Sequence, residues 1–232
     1  MCEDCKSGTR WSRRSLLGGG MALAAAGLLP VRAWAQEDVV SPDTALQRLI
    51  EGNKRYLAGS SVVQDYAVGR AARALSQSPI AAIVSCSDSR VAPELVFDQG
   101  PGSLFVVRVA GNVVNEDGLA SLEYAVHSLH TPLIMVLGHS GCGAVDAAMK
   151  VVRDKVELPG HLPGLADQIA PAVEAAHADG DDTLAGAVRA NVRLGVSRLA
   201  AAAPVLADYA ANGRIKLVGA HYELSTGEVT LV

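Results

Sequence analysis

The chain has 232 residues, of which half are apolar and 19% are charged, and its formal net charge is −4 at pH 7. That is enough apolar sequence for one ordinary globular domain with its own core. The acidic balance argues against a nucleic-acid or anionic-membrane surface as the main partner.

Residues 1–35 read as a segment apart from that domain. Arg13-Arg14 precedes a Gly/Ala/Leu-rich run ending at Leu29, and Pro30 and Ala33-Trp34-Ala35 follow. A basic start, a short apolar stretch and an A-x-A end describe a signal peptide. The paired arginines make it a twin-arginine-type signal, with an uncleaved anchor as the alternative. The expected product is a periplasmic or secreted chain of residues 36–232, with no membrane segment and a net charge of −7. Cys2 and Cys5 form a lone C-x-x-C inside the segment, a weak zinc or redox signal. Only Cys86 and Cys142 lie beyond it, so no disulfide framework is expected.

Ser41-Pro42 is an N-cap followed by proline at the first helical position, and Ala45, Leu46, Leu49 and Ile50 continue as a helical stripe to about residue 58. A polar stretch and a short helix ending near Ser76 follow. Strands are expected at 80–85, 104–109, 133–138 and 215–221, with a last one at 229–232. Arg108 is unusual in a buried strand and should be paired or at an edge. Helices are expected at 93–97, 118–130, from 141 or 142 onward, and at 165–178, 183–201 and 203–212. Residues 151–164 read as a loop, from two prolines, two glycines and charges. His127, His130 and His161 read as surface residues. The alternation gives an α/β fold. Its mostly parallel central sheet has four core strands plus a C-terminal strand, with helices on both faces.

Two strands end in metal-type side chains. Cys86-Ser87-Asp88-Ser89-Arg90 follows the first core strand, and His139-Ser140-Gly141-Cys142-Gly143 follows the third. Open α/β sheets place their sites at the carboxyl ends of strands. Cys86, His139 and Cys142 would meet there as a Cys₂His set for Zn²⁺, one per subunit. Three protein ligands leave a fourth position open, as in catalytic zinc sites. Buried apolar cysteines, a disulfide or a satisfied buried histidine are the other readings. Asp88 and Arg90 have no packing reason to stand beside them.

Cys-x-Asp-x-Arg followed by His-x-x-Cys resembles the β-class carbonic anhydrase family. The likeness runs from about Gly52-Asn53 past Ala144, through Val91-Ala92-Pro93-Glu94, Phe105-Val106-Val107-Arg108, Ala110-Gly111-Asn112 and Leu122-Glu123-Tyr124-Ala125. The resemblance implies reversible hydration of carbon dioxide to bicarbonate and a proton by zinc-bound hydroxide. It also implies a homodimer or higher homo-oligomer. Asp88, held by Arg90, would orient the attacking group, or swing in as a fourth ligand that closes the site. The resemblance makes Gln77 a bicarbonate-binding amide, and Phe105 and Tyr124 the walls of an apolar pocket across the dimer interface, with Ala110 and Val91 helping. Carbon disulfide or carbonyl sulfide hydrolysis and a non-catalytic zinc-binding role remain as alternatives. Some members carry a second bicarbonate pocket built from Trp, Arg and Tyr. Arg108 matches its arginine, but the only tryptophans, Trp11 and Trp34, lie in the leader. The resemblance therefore implies no bicarbonate switch here.

Overall fold

The computed structural model describes residues 40–62 and 65–232. The expectations for residues 1–35, the twin-arginine-type signal and the Cys2/Cys5 pair among them, lie outside the described residues. The first helix, α1 (Pro42–Leu57), begins where Ser41 accepts the Thr44 N–H on its side chain, and Pro42 stands where a missing N–H does no harm. It is followed by α2 (Arg70–Arg73), β1 (Ala81–Ser85), α3 (Pro93–Val96), β2 (Leu104–Arg108) and a 3₁₀ turn at Ala110–Asn112. Then come α4 (Glu116–His127), β3 (Leu133–His139), α5 (Gly143–Asp154), α6 (Leu162–Ala178), α7 (Leu184–Ala201), α8 (Val205–Ala211), β4 (Lys216–Tyr222) and β5 (Val229–Leu231).

The strand order is β2-β1-β3-β4-β5. The first four strands run parallel, and β5 returns antiparallel on β4. β1 and β3 are buried at every residue. That explains their unbroken apolar sequence, since a strand covered on both faces has no reason to alternate. Leu49 of α1 and Val96 of α3 pack with Ile83, Met135 and Leu137 on one face. Leu122 and Val126 of α4, Val192 and Leu199 of α7 and Leu206 of α8 cover Val84, Ile134 and Val136 on the other. A third cluster joins Cys86 and Cys142 to Val145 of α5, Ile169 and Val173 of α6 and Val188 of α7. The two thiols thus sit at the edge of an apolar core.

One expected boundary is corrected. Residues 151–164 are not all loop: α5 continues to Asp154, and α6 starts at Leu162 with Pro163 in its first turn. Of the charges that suggested a loop, Arg153 and Asp154 lie on exposed helix surface, while Lys155 and Glu157 lie in the short connection between the two helices. The proline that suggested a break instead opens a helix. Arg108 meets both expectations for it, since β2 is the sheet edge and its guanidinium is hydrogen-bonded.

Candidate metal centre

Each candidate ligand stands where a parallel strand has just ended. Cys86 follows β1, His139 is the last residue of β3, and Cys142 caps the N-terminus of α5. One ligand atom from each lies within 4.8 Å of the others, and all three residues are buried. The two sulfurs are 4.0 Å apart and both thiols are free, so they are not a disulfide. Asp88 Oδ2 is 3.9 Å from His139 Nε2.

The loop after β1 folds on itself for a local reason. Asp88 Oδ1 accepts the Arg90 N–H at 2.9 Å, an Asx turn. The guanidinium then closes on the same carboxylate, Nε to Oδ1 at 2.9 Å and Nη2 to Oδ2 at 2.7 Å. Such a fork is bidentate and directional. Hydrogen bonding from Arg90 holds the Asp88 carboxyl below the usual carboxylate range, against a smaller opposing effect of burial. Arg108, across on β2, donates to the Cys86 carbonyl at 3.1 Å and the Asp88 carbonyl at 2.7 Å. The loop is thereby held from both ends.

The electrostatics favour a bound cation. Cys86 Sγ accepts backbone N–H groups from Gly111 at 3.2 Å and Asp88 at 3.4 Å. The Cys142 thiol, His139 and these two N–H groups lower the Cys86 thiol, against the opposing effect of burial. The Cys142 thiol is pushed up, first by its hydrogen bond to Cys86 and then by burial. A divalent cation held between the two buried sulfurs would favour the thiolate form of both. Burial alone would lower the His139 imidazole. The nearby Cys86 sulfur, the Ser140 carbonyl and Asp88 outweigh that and raise it. His139 Nδ1 lies 2.9 Å from the Ser140 carbonyl. A carbonyl only accepts, so Nδ1 carries a hydrogen, and in the neutral ring that binds a metal Nε2 holds the lone pair. Nε2 is buried with no hydrogen-bond partner. A buried orphan nitrogen beside two sulfurs is costly unless something binds it. The donor set and the orphan nitrogen, with Asp88 3.9 Å from it, fit Zn²⁺.

The other expected site residues are placed less uniformly. Ala110 is in the 3₁₀ turn after β2, half-buried, next to Gly111. Val91 is fully buried below the Asp88 turn, its N–H bonded to the Asp88 carbonyl. Phe105 and Tyr124 lie together, ring centroids 6.3 Å apart, with Tyr124 half exposed. Gln77 shares a cleft with Arg73, Pro101 and Gly102, just ahead of β1 and β2. It therefore stands at the opposite end of β1 from Cys86, across about 17 Å of strand at 3.3 Å per residue. Gly111, Arg108, Asn191 and the Ser140–Glu223 pair were missed as contributors to the site. Asn191 Nδ2 donates to the Gly111 carbonyl at 2.7 Å. Its one sequence signal is an amide in an otherwise Ala-rich helix.

This arrangement defines a class first: an α/β protein with a three-donor zinc centre at the carboxyl edge of a parallel sheet. Comparison with known proteins narrows it. The family described as Carbonic anhydrase matches residues 81–229. "Carbonic anhydrase 2" of Mycobacterium tuberculosis is 39% identical over 192 residues, covering 82% of this chain and 93% of that protein. "Carbonic anhydrase" of Mycolicibacterium smegmatis is 36% identical over 193 residues, covering 82% and 93%. Among solved structures, the Coccomyxa β-carbonic anhydrase in complex with acetazolamide aligns with a TM-score of 0.64 at 29% identity, covering 81% of this chain and 86% of that one. The β-carbonic anhydrase CcaA aligns at 0.61 and 29%, covering 80% and 94%. The chain belongs to the β-class carbonic anhydrase family.

Proposed function

We propose that the chain is a zinc-dependent carbonic anhydrase that interconverts carbon dioxide and water with bicarbonate and a proton. The observation that carries this is the ionised Asp88–Arg90 pair beside three buried zinc-type donors. Cys86, His139 and Cys142 would hold the metal. When bound, zinc acidifies water, so that hydroxide is available near neutral pH. Asp88 accepts a hydrogen bond from the attacking oxygen and orients its lone pair toward the substrate carbon. Arg90 keeps Asp88 ionised and turned away from the metal. Released from Arg90, the same carboxylate is close enough to His139 to become a fourth ligand and close the site. Arg108 resists that movement by gripping the loop's two carbonyls.

The working unit in this reading is a homodimer or a larger homo-oligomer. Gln77, Phe105 and Tyr124 serve a partner's site, because Gln77 is at the far end of the sheet from its own. The support is the surface around them. Every described residue from Tyr56 to Ser78 is exposed, and Tyr66, Val68 and Leu75 project apolar side chains there. Residues 1–35 serve in this reading as a twin-arginine-type export signal, supported by Arg13-Arg14 and the A-x-A end. N-terminal sequencing of the exported chain tests that.

Stopped-flow hydration of carbon dioxide by the zinc-loaded chain tests the activity. Turnover by the native chain, most of it lost in Asp88→Asn, is the expected result. No hydration at any pH would overturn the reading, and turnover of carbon disulfide alone would make the chain a hydrolase on the same site.

A further inference from the structure

The turn between β4 and β5 is far from the zinc donors in sequence, yet it reaches one of them. Ser140, directly after His139, donates from its hydroxyl to Glu223 Oε1 at 2.9 Å and accepts the Leu224 N–H at 2.9 Å. Its own N–H donates to the Tyr222 carbonyl. Three bonds therefore fix Ser140, two on its hydroxyl and one on its N–H, and the carbonyl of the same residue is what accepts His139 Nδ1–H. Glu223 Oε1 is itself held, accepting the Ser225 N–H at 3.1 Å and the Ser225 hydroxyl at 2.9 Å. These bonds keep the Glu223 carboxyl below its ordinary range.

The turn is anchored in turn. Buried Asn53 of α1 donates to the Gly227 carbonyl at 2.9 Å and accepts the Val229 N–H at 3.0 Å. It also donates to the Val96 carbonyl of α3. A side chain with all three of its contacts on other elements holds them in one relation.

We propose that Glu223 is a positioning residue for the zinc centre: through Ser140 it fixes the tautomer and the ring plane of His139. This rests on the zinc reading above. Metal-bound histidines need such a partner on the second ring nitrogen, and losing it weakens metal binding by about 10–100-fold. Here the partner is a backbone carbonyl, which cannot orient itself. The hydroxyl and the carboxylate do that.

The test is zinc affinity, measured by competition with a chromophoric chelator, alongside thermal unfolding of the zinc-free chain. Glu223→Ala and Ser140→Ala are each expected to bind zinc about ten-fold or more weakly. Glu223→Gln, which keeps an acceptor oxygen at the same reach, should recover most of that loss. The double variant should bind no more weakly than the weaker single variant, because both cut one chain of bonds. Ser140→Ala removes a single oxygen and leaves the carbonyl, so it reads the linkage independently of any folding defect in Glu223→Ala. Cobalt-substituted protein gives a second readout, a changed ligand-field spectrum in both variants. Wild-type affinity in both single variants, or additive losses in the double, would overturn the proposal. A wild-type chain that binds no zinc would instead overturn the zinc reading.

Discussion

Asp88 can serve only as an anion, and its neighbours keep it one. Its carboxyl is lowered on folding, chiefly by Arg90. A lowered carboxyl contributes stability above its unfolded value of about 3.9, and that contribution is lost as pH falls through the lower folded value. Arg90 stays charged throughout. The pair is therefore expected to persist over the whole neutral range, and the pH–rate profile should follow a single ionisation of water. A steep loss of activity below about pH 8, far above any carboxylate reference value, would show the pair opening. Arg108 gives a related expectation. Its Nε and Nη2 are already committed to the Cys86 and Asp88 carbonyls, and no described residue is a tryptophan. Added bicarbonate should leave the rate profile unchanged beyond product inhibition. Among the ligands, Cys86→Ser, His139→Ala and Cys142→Ser should each lose zinc by elemental analysis, since each removes one of only three donors. Asp88→Asn should keep zinc and lose most turnover.

At two glycines the elements approach too closely for a side chain. A Cβ at Gly111 would sit 2.7 Å from Ile169 Cδ1 and 3.2 Å from Ala144 Cβ, and the backbone there has a φ of +71°. Gly111→Ala would thus combine a left-handed conformation with a clash, and it would move the N–H that Cys86 accepts. A loss of about 1–3 kcal/mol is expected in denaturant unfolding, together with weaker zinc binding. At Gly52 the obstacle is backbone: a Cβ would lie 1.8 Å from the Phe97 carbonyl oxygen. Gly52→Ala should force α1 away from α3, lower stability by ~3 kcal/mol, and show it as a reduced midpoint. Equal stability in either variant would mean that the helices move more freely than their packing implies.

At the scale of the whole molecule, the free surface is the informative part. Leu75 is 88% exposed, Val68 70% and Leu95 61%. Apolar side chains left this exposed are the expected lining of an association surface. The chain should sediment as a dimer or larger. Leu75→Asp combined with Leu95→Asp should give monomers that retain zinc, because Cys86, His139 and Cys142 come from one chain and are buried. If Gln77 and Tyr124 act on a partner's site, those monomers should also lose hydration activity. Monomers with full activity would assign both residues to structure alone.

The sequence by itself determined the strands, because an unbroken Ile/Val/Leu run needs cover on both sides wherever it lies. It also determined the candidate ligand set, because Cys86, His139 and Cys142 directly follow such runs, and parallel strands end on one side of a sheet. Asp88 and Arg90 were legible for the same reason, being two residues apart on one short loop. Tertiary structure decided what depends on distance across the chain. That Gln77 stands at the wrong end of its own strand for its own metal follows from strand direction, which a nine-residue spacing does not express. That Gly111 supplies an N–H to Cys86, that Arg108 grips the loop carbonyls, and that Glu223 braces His139 are pairings between segments 20 to 84 residues apart. They are hydrogen bonds, short-ranged and directional, so only the packed elements bring their donors and acceptors into line.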